Sequence, residues 1–194
     1  MKVAAILMRR IGLGLVFYTA LIAAPASAFD STQAPQAAVG TLQPLFAPWD
    51  DIETALIDAL DAARQQVLVQ AYLLSNHKIA AALIAAKRRG VDVKVMLDGR
   101  QLEKVGASKA RELAAAGIPL WLESGYQNAH NKVMVIDSST AAATVITGSF
   151  NFTWSAQHKN AENVLIVRNN PALAMRYALN WERHRLDATP YKTQ

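Results

Sequence analysis

No cysteine occurs among the 194 residues, which removes disulfides, thiolate catalysis, cysteine-ligated zinc and a lipoprotein anchor on Cys. The stability of the chain must come from its core. No second histidine or pair of carboxylates is placed to join His130 around a metal ion, so metal ligation by it is disfavoured. A long hydrophobic run is also missing. The one extended apolar stretch, residues 11–24, follows Lys2, Arg9 and Arg10 and ends at Pro25-Ala26-Ser27-Ala28. A membrane span needs about 20 apolar residues, and this run is shorter. A basic start, a short apolar centre and a small-x-small exit predict a secretory signal over residues 1–28 and a periplasmic or secreted protein. Cleavage after Ala28 removes three of the 20 Lys and Arg and none of the 15 Asp and Glu, leaving a net charge of only +2.

What remains is long enough for one well-buried domain and short for two. Residues 29–48, rich in Ala, Gln, Pro, Ser and Thr, read as an N-terminal tail leading into a first strand near residues 39–46, with a single domain over 49–194. From Asp50 the pattern becomes regular. Ile52, Leu56, Ile57 and Leu60 recur at helical spacing behind Asp50-Asp51, a strand follows over residues 67–73, and Ile79, Leu83 and Ile84 mark a second helix. That helix closes with Lys87-Arg88-Arg89-Gly90. The trio could serve as a phosphate patch, but cations in a last turn before glycine are an ordinary helix stop. A strand over 91–97, a helix over 108–116 and a strand over 118–122 continue the alternation. Residues 130–137 and 141–147 read as a hairpin, 164–167 as a further strand and 171–186 as a last helix. The expectation is an α/β domain with a mixed, largely parallel central sheet and helices on both faces.

The chemistry concentrates in His130-Asn131-Lys132, Asp137, Gly148-Ser149-Phe150-Asn151 and Glu162-Asn163. On a strand, residues two apart share a side, so His130 and Lys132 point together while Asp137 points away and braces the strand. A neutral imidazole can attack phosphorus without an adjacent base. A lysine, a serine hydroxyl and an asparagine amide beside it suit non-bridging phosphate oxygens, and Glu162 is placed to take the proton on the far nitrogen of His130. Gly148 lets the backbone turn or a ligand approach. A general acid for the leaving group is missing. His77, His158 and His184 lack such partners and read as surface residues.

His-x-Lys-x4-Asp followed by Gly-Ser-x-Asn, here His130, Lys132, Asp137, Gly148, Ser149 and Asn151, resembles the signature of the phospholipase D superfamily. The runs 147–153 and 159–163, with Ala71-Tyr72 and residues 85–94 upstream, are similar to its single-motif, secreted, Nuc-like bacterial endonucleases. The link between the two motif strands, residues 138–143, looks longer than in that group. The resemblance implies α-β-α layers, attack by His130 to give a phosphohistidine, and no metal or other cofactor. It implies that Lys132 and Asn151 contact phosphate, that Ser149 supports them and that Glu162 orients the histidine. Superfamily members need two copies of the motif, and only one stands here, so a homodimer with a shared site is implied. The substrate expected first is DNA, or RNA. A phospholipid headgroup diester is the alternative, disfavoured by the lack of a basic amphipathic segment. A non-catalytic phosphate-binding or nucleic-acid-binding module is the third reading and ranks last.

Overall fold

Strands that are apolar on both sides lie in the interior of a sheet, and strands of that kind occupy the middle of this chain. The computed structural model describes residues 34–104 and 108–192, and the expected signal over 1–28 lies outside the described residues. The elements in chain order are β1 (Thr41–Ala47), α1 (Ile52–Ala62), β2 (Gln66–Ala71), α2 (His77–Arg88), β3 (Asp92–Asp98), α3 (Gly99–Lys104), α4 (Ala110–Ala115), β4 (Leu120–Glu123), β5 (Lys132–Ile136), β6 (Thr144–Gly148), α5 (Trp154–His158), β7 (Glu162–Arg168), α6 (Pro171–Asp187) and β8 (Thr189–Pro190). The strands form one sheet in the order β1-β7-β6-β5-β2-β3-β4-β8. The expected first strand is β1, and it pairs with β7 along its whole length. The sheet therefore begins before residue 49.

Helices cover both faces, as the alternation of strand and helix requires. On one face Ile52, Leu56 and Leu60 of α1, Ile79 and Leu83 of α2, and Leu113 of α4 pack on Val67, Val69, Met134, Ile146 and Ile166. On the other, Ala174, Ala178 and Trp181 of α6 pack on Leu68, Met96, Val133, Val135 and Val145. Trp181 also donates its indole N–H to the Val69 carbonyl at 2.9 Å, so a large apolar side chain is buried with its one polar atom satisfied.

One expectation needs correction. The sheet is mixed but not largely parallel: only β2–β3 and β3–β4 run parallel, and the other neighbouring pairs are antiparallel. Among neighbouring strands, the helical crossovers that parallel pairing requires join only β2 to β3 and β3 to β4. The link from β5 to β6 is too short for a return across the sheet, so those strands form a hairpin, and β7 pairs antiparallel beside β6 although α5 lies in the link between them. Three short elements also lacked a clear pattern in the sequence, namely α3, α5 and β8. The basic trio at 87–89 serves the helix stop: Arg89 donates to the Leu60 carbonyl at 2.7 Å, and Gly90 takes a φ of 90°.

The helix starts are set by side chains. Asp51 accepts the Thr54 N–H at 3.0 Å and its hydroxyl at 2.7 Å, a capping arrangement that holds its carboxyl below the usual carboxylate range. Asn76 caps α2, accepting from Lys78 and Ile79, and its amide reaches back to Glu53 in α1. Burial would raise the Glu53 pKa, but hydrogen bonds from Lys78 and Asn76 outweigh it and the carboxyl sits lowered.

Candidate active site

The chain leaves β4 and must cross the ends of β3 and β2 before β5 can pair with β2 on its far side. That crossing, residues 124–131, runs over the C-terminal ends of the parallel strands, where open α/β sheets gather ligands. It is pinned from below. Asp98, buried at the end of β3, accepts the Ala129 N–H at 2.6 Å and the Gln101 N–H at 2.7 Å. The Tyr72 N–H donates to the Asn131 carbonyl at 2.8 Å. His130 is thereby delivered, exposed, just before β5 begins at Lys132 opposite Ala71.

His130 and Lys132 meet as parity predicts: Lys132 Nζ lies 2.9 Å from His130 Nδ1 and 2.9 Å from the His130 carbonyl oxygen. Tyr72 completes the cluster, with its ring centroid 4.3 Å from that of the imidazole and 4.8 Å from Lys132 Nζ. Lys132 is buried, and burial pushes its pKa below the ordinary lysine value while the charge of Glu162 acts in the opposite sense. The expected bond from Glu162 to His130 is not made. Glu162 Oε2 accepts from the Ser149 hydroxyl at 2.5 Å and Oε1 from the Asn160 amide at 2.8 Å, so its link to the histidine–lysine pair is electrostatic. Ser149 in turn accepts the Asn163 N–H at 3.0 Å.

Gly148 is required for sheet pairing. A Cβ there would lie 2.1 Å from the Asn163 carbonyl oxygen in β7, and that backbone cannot retreat without breaking the β6–β7 ladder. Gly148→Ala is expected to cost about 1 to 3 kcal/mol by overpacking and to displace Ser149; urea unfolding checks the first and turnover the second. Asn151 follows the turn with its Oδ1 closed off from solvent and without a hydrogen-bond partner. A phosphate oxygen can accept only from the NH2 of that amide. Asp137 is at the opposite end of β5, about 17 Å along the strand from Lys132 at 3.3 Å per residue. Its carboxylate accepts the N–H groups of Arg64 (2.9 Å), Gln65 (2.7 Å) and Gln66 (2.9 Å). The bracing role is therefore observed, and it fixes where β2 starts.

Residues 56–184 match the family model described as "Cardiolipin synthase, PLD-like domain", a stretch that includes every motif residue from His130 to Glu162. The chain belongs to the phospholipase D superfamily. A phospholipase D of Rickettsia typhi is 36% identical over 170 residues, covering 85% of this chain and 80% of that protein. A phospholipase D of Rickettsia bellii is 42% identical over 136 residues, covering 70% of this chain and 65% of that protein, so the matched chain spans just under two thirds of that relative. The crystal structure of a phospholipase D family member, Nuc from Salmonella typhimurium, is similar with a TM-score of 0.74 at 34% identity, covering 80% of this chain and 100% of that one.

Sequence patterning missed several residues around the phospholipase D motif. Tyr72 follows β2 immediately, but only the pairing of β2 with β5 places it under His130. Asn160 and Asp98 act through side-chain and loop contacts that no periodicity reports. Among the other histidines, His77 and His158 are exposed as expected. His184 is not a plain surface residue: its Nδ1 lies 2.6 Å from Oε1 of the buried Glu123, which also accepts from Gln70 at 3.0 Å, and Tyr126 packs 5.5 Å from its ring. This ties α6 to the segment that carries His130.

The lowered Lys132 pKa sets a pH dependence. If Lys132 must be charged to hold phosphate, kcat/KM falls as it deprotonates, and that alkaline limb lies below the ordinary lysine range. Glu162 raises the Lys132 pKa, so Glu162→Gln is expected to move the limb to still lower pH. A pH–rate profile checks this; a limb that moves upward contradicts it.

Proposed function

We propose that the protein is a metal-independent phosphodiesterase that cleaves DNA, with RNA as the further candidate substrate, through a phosphohistidine on His130. The observation that carries this reading is the exposed His130 imidazole, held on Tyr72 and beside a buried lysine. With Lys132 charged, Nζ donates to Nδ1 and the ring proton sits on Nε2. A phosphate arriving at the site competes for the ammonium and frees Nδ1 to carry the proton, which leaves the Nε2 lone pair open to attack. In the first step the nitrogen–phosphorus bond forms, the bond to the leaving oxygen breaks, and that oxygen takes a proton from a general acid. In the second, that group, now a base, takes a proton from water as the water oxygen attacks phosphorus, the nitrogen–phosphorus bond breaks to restore the imidazole, and the phosphomonoester leaves.

The acid comes from a second copy of the chain, with His130 of each subunit at a shared site. The uncovered face of β1 supports this arrangement. Leu42 and Phe46 are 60% and 50% exposed, and Phe46 pairs with Asn163, which contacts Ser149. An apolar surface so placed, contiguous with the site, suits a subunit contact.

The phospholipase D names of the Rickettsia relatives favour a second reading, hydrolysis of a phospholipid headgroup diester. Fold alone does not choose between the two substrates. The test incubates the purified protein with plasmid DNA, short RNA or phosphatidylcholine vesicles in excess EDTA, with His130→Ala in parallel. Cleavage of nucleic acid that survives EDTA and fails in the variant is the expected result. Turnover of vesicles alone selects the lipid reading, and turnover abolished by EDTA contradicts the metal-free one.

A further inference from the structure

We propose that Trp154 and Lys159 form a base-stacking platform at the rim of the active site, which selects strands carrying unpaired bases. The proposal rests on the nucleic-acid reading above and adds a specificity-determining element to it. Trp154 opens α5 shortly after Asn151 and is 51% exposed. Its indole does not stand alone. The His158 ring lies 4.5 Å away at a tilt of 34°, and Lys159 Nζ is 5.4 Å from the indole centroid. The ammonium lies over the indole face, so a base that stacks there takes its place while the lysine turns to the neighbouring phosphate, and an indole with a mobile cation suits both parts of a nucleotide.

The platform is fixed at both ends and along its length. The Thr153 hydroxyl accepts the Ala156 N–H at 3.2 Å. Gln157, buried on the opposite side, accepts the Glu53 N–H at 3.0 Å and donates to the Asp50 carbonyl at 2.9 Å. Lys159 precedes Asn160, whose amide holds Glu162 Oε1. The whole α5 segment is thus the link between Asn151 and Glu162, two residues of the motif. A base resting on Trp154 therefore belongs to a nucleotide close to the phosphate being cut. Bases inside a duplex are already stacked on each other, so the platform favours single strands and frayed ends.

A half-exposed tryptophan also occurs where proteins touch membranes. Here its exposed neighbours Ser155, His158, Lys159 and Asn160 are polar, and no apolar patch surrounds it on α5 to enter a bilayer.

The experiment compares a single-stranded oligodeoxynucleotide with an abasic strand of equal length. Binding is measured in the His130→Ala background and kcat/KM in the active protein, with Trp154→Ala and Trp154→Phe in each. The expected result is that Trp154→Ala lowers the preference for the base-bearing strand about tenfold, while Trp154→Phe retains most of it. Both ratios unmoved in Trp154→Ala would overturn the platform, and so would a loss confined to binding of phosphatidylglycerol vesicles. If the protein binds with the expected ratio but cuts neither strand, the platform stands and the nuclease reading falls.

Discussion

His130→Ala is expected to lower turnover by on the order of 10⁴-fold or more, because it deletes the proposed nucleophile and not a contact that shares its work. The proposed shared site adds a second, sharper consequence. In a mixed dimer one histidine is present and the other absent, so neither the attack nor the protonation can be completed with its proper partner. Titrating wild-type protein with an excess of the variant, after dissociation and reassociation, should therefore extinguish activity faster than dilution does. Activity that stays proportional to the wild-type subunits would show that each chain works alone. The substitution removes an exposed side chain, so unfolding of the variant is not expected to complicate the comparison; its urea midpoint checks this.

The second large effect is on stability, and it lies at the other end of β5. Replacing Asp137 by alanine strips the acceptor from three backbone N–H groups at the start of β2. The residue is 5% exposed, so water cannot readily take its place. Hydrogen bonds to a charged acceptor contribute about 1.5 to 3 kcal/mol each and add imperfectly, so a loss of about 4 kcal/mol is expected. For a chain of this size that corresponds to a fall in Tm of roughly 10 °C. Asp137→Asn distinguishes the charge from the geometry. Its oxygen can keep Gln65 and Gln66, whereas its NH2 would face the Arg64 N–H, donor against donor. About half the loss is expected. Asparagine also tolerates the φ of 50° at this position, as few residues do, so any remaining loss belongs to the hydrogen bonds. Thermal and urea unfolding of the two variants measure both values; equal stability of wild type and Asp137→Ala contradicts the bracing role.

The pairing of His130 with Lys132 and the separation of Asp137 were both legible in the sequence, because strand parity needs only spacing. The strands and the longer helices were legible for the same reason: their apolar positions repeat along the chain. The direction of strand pairing was not. The β5–β6 hairpin was read from its short polar link, but the pairings of β5 with β2 and of β1 with β7 join strands far apart in the chain, which spacing does not report. Sequence reasoning also gave Glu162 to His130, while the folded chain gives it to Ser149 and Asn160. Three hydrogen-bonding groups compete for one carboxylate there, and which of them wins depends on how β6 and β7 bring their ends together. The contact of Tyr72 with His130 and the role of Asp98 were not legible for a related reason. Each acts across strands that are neighbours only after the sheet has assembled.

The central claim is that His130 becomes covalently phosphorylated by the diester it cleaves. The most direct measurement is rapid alkaline quenching of the protein with a nucleic-acid substrate, followed by mass spectrometry of the peptide that spans residue 130. The account predicts a phosphoryl-linked adduct on His130 that appears and decays with turnover in the presence of EDTA. Turnover with no adduct, or with an adduct on another residue, would contradict it.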